Sequence, residues 1–152
     1  RDRLRGSLVA DGPGSFTGLR VAASVAKALV ATGATDLRTA PSLLARAVRM
    51  AHPGQVVVGV SDALRGEAYG GAWLVLDRQV ESLVPLAARS PAVLRQLVPH
   101  PDLVVGDVPP SLREALAGWC PVQQLDVPAD AGALLALLSW PGALQHPPGR
   151  HA

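Results

Sequence analysis

Apolar and polar residues alternate with changing period along this chain, and the changes mark its elements. Gly6 to Ala10 is a short apolar run ending in Asp11-Gly12-Pro13-Gly14, which predicts a strand entering a turn. Gly18 to Thr32 follows a helical period, with Gly33 placed as its C-cap. Leu37 to Thr39 is a brief extended piece, and Pro41 stands where a helix favours its first residue, so Ser42 to Ala51 continues as helix. The period then shortens. Gln55 to Val60 is a β-branched run, Asp62 to Gly66 a turn, and Glu67 to Leu76 and Gln79 to Pro85 flank an Asp77-Arg78 turn, which together predict an antiparallel meander. Beyond Pro91 the order is helix (Ala92 to Leu97), strand (Leu103 to Val105), helix (Pro110 to Ala117), strand (Val122 to Leu125) and helix (Asp130 to Leu138, capped by Asp130). The fold class is α/β.

Two stretches break the ordinary pattern. Gly12-Pro13-Gly14-Ser15-Phe16-Thr17-Gly18 sits between strand and helix, where glycines admit unusual backbone angles and Ser15 or Thr17 can cap the helix. The unpaired N–H groups and positive dipole of a helix start make Gly12, Gly14, Ser15, Thr17 and Gly18 a candidate anion or nucleotide loop; a tight turn alone accounts for the same glycines. The loop has neither the Gly-Lys-Ser/Thr of a P-loop nor a Gly-x-Ser-x-Gly elbow, so Ser15 has no motif support as a nucleophile. In the helix behind it, Leu19 to Val30, the polar residues Arg20, Ser24 and Lys27 form one narrow stripe. Everything else there is apolar, more than one core requires. One side should pack on the parent sheet, and the alanine-rich remainder should admit another helix, from this chain or from a partner.

Composition narrows the class. With 49% hydrophobic and 17% charged residues in 152, the chain is too apolar for disorder, and it has no run near the ~20 residues of a membrane span, so a soluble globular protein is expected. Thirteen arginines stand against one lysine, isoleucine and asparagine are absent, and the net charge is only +2. That bias reads as a compositional habit, and no dense basic cluster suggests nucleic-acid binding. One cysteine, Cys120, excludes an internal disulfide and any Cys-based zinc site, consistent with a reducing compartment. The start at Arg1, without methionine or secretory signal, reads as that of a fragment.

Other candidate chemistry is thin. His52, His100, His146 and His151 lie mostly far apart in sequence, which argues against a metal site. Asp62 and Glu67 flank a turn and read as structural or interface residues, while Trp73, Trp119 and Cys120 read as core or half-buried.

Several motifs together resemble the bacterial TsaB (YeaZ-type) family. These are Gly12-Pro13-Gly14-Ser15-Phe16-Thr17-Gly18-Leu19-Arg20 with Ala26-Lys27-Ala28-Leu29, then Pro41-Ser42-Leu43-Leu44, Asp62-Ala63-Leu64-Arg65-Gly66-Glu67-Ala68-Tyr69 and Val104-Val105-Gly106-Asp107. The resemblance implies an actin-like (ASKHA, ribonuclease H-like) fold whose first lobe is incomplete: residues 1–40 as its remnant, 41–138 as a second α/β lobe, and 139–152 as a disordered tail. It implies a non-catalytic scaffold or dimerization subunit that pairs with a TsaD-type catalytic subunit and a TsaE-type ATPase in making threonylcarbamoyladenosine. Contact with tRNA is expected only indirectly through the complex, in the cytoplasm and away from membranes. No catalytic residue, metal or cofactor is expected beyond weak nucleotide binding. The expected partner surface is Leu19, Ala22, Ala23, Ala26 and Val30. Two departures stand out: the strands and Asp-Thr-Ser segment that precede the loop in the family are missing, and Trp140 with a Pro-rich tail replaces its Tyr-Leu-Arg element. The alternative is an enzyme of glycoprotease-like or phosphotransferase type using the loop as a phosphate cradle.

Overall fold

A computed structural model describes residues 6–31, 36–128, 130–140 and 143–144. In chain order it runs β1 (Gly6–Ala10), α1 (Phe16–Ala31), β2 (Asp36–Ala40), α2 (Ser42–Met50), β3 (Val56–Asp62), β4 (Ala68–Leu76) and β5 (Gln79–Arg89). It continues with α3 (Pro91–Leu97), β6 (Leu103–Asp107), α4 (Pro110–Leu116), β7 (Gln123–Gln124) and α5 (Ala131–Leu137). Gly33, the expected cap of the first helix, lies outside the described residues. Asp130 caps α5 as its sequence position suggests, accepting a hydrogen bond from the Gly132 N–H at 2.8 Å.

Two sheets form. β1 and β2 pair in parallel, with α1 between them in the chain. The larger sheet has the order β5-β4-β3-β6-β7, antiparallel from β5 to β3 and parallel from β3 to β7. The expected meander is therefore present, with β6 added on its far side. β5 runs past Pro85 to Arg89; as an edge strand it has one side free of ladder bonds, where a residue without N–H is tolerated.

The sheet is apolar on both faces. Val57, Trp73, Val75 and Val105 pack against Leu43, Leu44 and Ala47 of α2 and Leu137 of α5. Val58, Val60 and Val104 pack on the opposite face with Leu94, Leu112, Leu116 and Trp119. Close approach of α2 depends on Gly59, where a Cβ would lie 2.9 Å from the Trp73 ring and 3.0 Å from the Leu43 Cβ. Trp119 and Cys120 are buried; the indole N–H donates to the Val98 carbonyl at 2.9 Å, and the Cys120 thiol to that of Pro101 at 3.1 Å. Ala143, within the expected tail, is buried in the first of these cores, and the tail beyond Leu144 lies outside the described residues.

Candidate functional site

The loop and helix singled out by the sequence lie on the smaller sheet. Gly12 has φ +110°, a backbone angle that an L side chain resists, and it turns the chain from β1 toward α1. Ser15, not Thr17, caps the helix: its Oγ accepts from the Gly18 N–H at 3.1 Å and its carbonyl from the Leu19 N–H at 2.9 Å. Gly18 is required for this cap, since a Cβ there would lie 2.9 Å from the Ser15 Oγ. The Leu19 side chain fills the space beneath the loop, 3.6 Å from where a Cβ would stand on Gly12.

Ser42, the first residue of α2, closes the loop from the other side. Its N–H donates to the Gly12 carbonyl and its hydroxyl to the Pro13 carbonyl, both at 2.8 Å. The carbonyls of Gly12, Pro13 and Ser15 and the Ser15 hydroxyl are thus engaged within the chain.

A cleft of about 540 Å³ opens between this loop and the β4–β5 hairpin. Gly12, Pro13, Gly14 and Leu19 line one side; Leu44, Tyr69, Trp73, Pro85 and Leu86 line the other. Asp11 is the one charged residue of that lining, and Ser15, Thr17 and Gly18 stand outside it. Among the described residues that lining carries one carboxylate and no cation, a charge balance that disfavours a phosphate.

On α1 the sequence expectation divides by face. Ala26, 3% exposed, is buried against the chain's own strands, and Leu19, Ala22 and Val30 are half-buried on the same side. Ala23 points to solvent, on the flank shared with Phe16. The exposed apolar residues are Phe16 (69%), Val21 (59%) and Val25 (55%), and Val21, Val25 and exposed Ala28 share one face by their i, i+4, i+7 spacing. That spacing was available to find Val21 and Val25, which the expected surface omits. The polar stripe separates the two flanks, with the Arg20 guanidinium 4.0 Å from the Phe16 ring centroid.

The remaining candidates stay apart. Among the described residues no group of three or more His, Cys, Asp or Glu could hold a metal ion. Asp62 accepts from the Leu64 N–H at 2.8 Å and shapes the β3–β4 turn, whose residues Leu64, Arg65 and Gly66 all have positive φ. Among the described residues no helix is long and apolar enough to cross a membrane.

Fold and site together define an α/β protein with an actin-like fold, built among the described residues on a five-stranded mixed sheet and a pair of parallel strands beside α1. Residues 3–104 match the model of the family described as TsaD, tRNA N6-adenosine threonylcarbamoyltransferase, and the chain belongs to that family. Its likeness within it is of the TsaB/YeaZ type. It is 32% identical over 78 residues to the tRNA threonylcarbamoyladenosine biosynthesis protein TsaB of Bacillus subtilis (strain 168), a match covering 51% of this chain and 34% of that protein. YeaZ from Pseudomonas aeruginosa superimposes with a TM-score of 0.69 at 19% identity, covering 88% of this chain and 64% of that one. A second Pseudomonas aeruginosa structure, of a protein with similarity to peptidase YeaZ, gives 0.67 at 22% identity, covering 86% and 62%. The chain thus spans about a third of the length of its TsaB relative and under two thirds of each solved chain.

Proposed function

We propose that this chain acts in tRNA threonylcarbamoyladenosine biosynthesis as a non-catalytic scaffold, docking through α1 onto a TsaD-type catalytic subunit. A TsaE-type ATPase joins the same assembly, and tRNA is met through the complex. The observation that carries this reading is the exposed apolar flank of α1, with Val21, Val25 and Ala28 in solvent on the helix launched by the Gly-Pro-Gly loop. An amphipathic helix with a second apolar face is a surface suited to helix-on-helix packing. Ala23 lies on the other flank, across the polar stripe, and Leu19, Ala22, Ala26 and Val30 form the floor that seats the helix on β1 and β2. The phosphate-cradle alternative draws no support from the cleft, where Asp11 is the charged group and the start of α1 is capped by Ser15.

The test is Val25→Arg. A guanidinium at a packed helix contact must be desolvated without a partner, a penalty of several kcal/mol. Co-purification with the TsaD-type subunit of the same organism should be lost while the melting temperature of the free protein stays unchanged, because Val25 is 55% exposed. Retained binding by a folded Val25→Arg protein would overturn the docking reading.

A further inference from the structure

We propose that Ser42 is a positioning residue that latches the Gly-Pro-Gly loop and thereby sets the orientation of α1 for docking, an inference that rests on the docking reading above. Ser42 is 9% exposed and, among the described residues, is the one buried side chain that is polar. α2 has no side-chain cap, since its N-cap is Pro41. Its first N–H is satisfied instead by the Gly12 carbonyl, and the adjoining hydroxyl takes the Pro13 carbonyl. One residue therefore resolves two problems of unpaired backbone groups, at a helix start and in a buried-side loop.

The consequence is mechanical. From Ser42 the chain of contacts runs through Gly12 and Pro13 to Ser15, whose Oγ and carbonyl fix the first turn of α1 through Gly18 and Leu19. Leu19 props the loop from below, with its side chain 3.6 Å from the Cβ position of Gly12. Among the described residues of α1, Ala26 alone is buried, with Leu19, Ala22, Leu29 and Val30 half-buried. α2 is by contrast embedded in the core, with Ser42, Leu43, Leu44, Ala45 and Ala47 all buried. The hydroxyl bond thus ties the loop that launches α1 to the embedded α2, and its loss should free the launch angle of α1 without unfolding α2.

The experiment compares Ser42→Ala, which keeps the N–H bond and removes only the hydroxyl, with Ser42→Thr, which restores it, in the full-length natural protein. Amide hydrogen exchange is followed over Gly14–Arg20 and over β3 and β6, together with affinity for the TsaD-type subunit. In Ser42→Ala, exchange at Gly18 and Leu19 should rise at least fivefold while β3 and β6 are unchanged, affinity should fall about tenfold, and Ser42→Thr should recover both. A merely structural serine would instead speed exchange throughout the core. Wild-type exchange at Gly18 and Leu19 in Ser42→Ala, or wild-type affinity in that variant while Val25→Arg abolishes binding, overturns the latch and leaves the docking reading standing. If Val25→Arg binds normally, the docking reading is what fails, and the positioning role fails with it.

Discussion

At the scale of single residues, burial decides which alanines of α1 tolerate change. Ala26 is 3% exposed, so Ala26→Arg must force a long cation between the helix and the β1–β2 sheet. Overpacking and an unpaired buried charge each cost on the order of 1–3 kcal/mol or more. The melting temperature of the free protein should drop by several degrees or the protein should fail to fold, as calorimetry would read. Ala23→Arg, on the solvent side, should melt within about a degree of the unaltered protein by the general tolerance of exposed positions. An equal loss in both would mean that α1 is seated on a different face. Arginines show the same dependence on setting. Arg89 donates to the carbonyls of Gly70 and Pro85, Arg95 to those of Ala115 and Ala117, and Arg113 to those of Val108 and Leu125. Each fastens the end or the bulge of an element, a use for which a five-donor planar cation is suited and a lysine is not. Arg46 is different: its Nε is buried without a partner among the described residues, and burial lowers the guanidinium pKa from its ordinary value, with Asp107 opposing.

Among the elements, β6 shows how a motif can be legible while its reason is not. The sequence ends its predicted strand at Val105, but the structure carries β6 on through Gly106, opposite Val60 of β3. A Cβ there would stand 2.0 Å from the Val60 carbonyl oxygen, and backbone cannot withdraw as a side-chain tip can. Gly106→Ala should therefore cost several kcal/mol, beyond the usual range of single substitutions, and a urea melt would show it as a large fall in midpoint. A fall no larger than that of Gly→Ala at an exposed glycine without positive φ, such as Gly14, would show that β3 and β6 can move apart. The elements themselves were readable: the switch from helical spacing after Met50 to the β-branched Val56–Val60 run marks the change from α2 to β3, and Asp130 marks the start of α5. What local pattern cannot carry is pairing across the chain. Nothing near Leu103 states that β6 lies beside β3 and not β5, and nothing near Ser42 states that its hydroxyl meets Pro13, 29 residues upstream. At the site, the excess apolar surface of α1 was legible from composition, yet which face the sheet takes depends on strand placement, which leaves Ala26 buried and Val25 exposed.

For the molecule as a whole, the distribution of charge bears on what the isolated chain can do with RNA. The sequence carries 14 basic and 12 acidic residues, an excess of +2. The fold draws down even that modest supply. Arg89, Arg95 and Arg113 are turned onto the chain's own carbonyls, and Arg38 and Arg49 are paired with Asp36 at 3.0 Å and Asp130 at 2.9 Å. Arg20 lies over Phe16, and Arg78 reaches Ser139. Phosphate contacts need several cations converging on one surface, since each released counterion adds to affinity and to its salt dependence. The pairs at Arg38 and Arg49 are surface bridges of small energy, so a competing phosphate could break them, but they lie on different elements, β2 and α2. The free chain should therefore bind tRNA more weakly than about micromolar at physiological salt, with a slope of log affinity against log salt no steeper than roughly −2 by the counterion relation. Filter binding or anisotropy between low and physiological salt would measure both quantities. Submicromolar affinity with a steep slope would mean that these arginines leave their carbonyls and carboxylates for phosphate, and the chain would then be a tRNA-binding subunit in its own right, not one that meets tRNA through its partner.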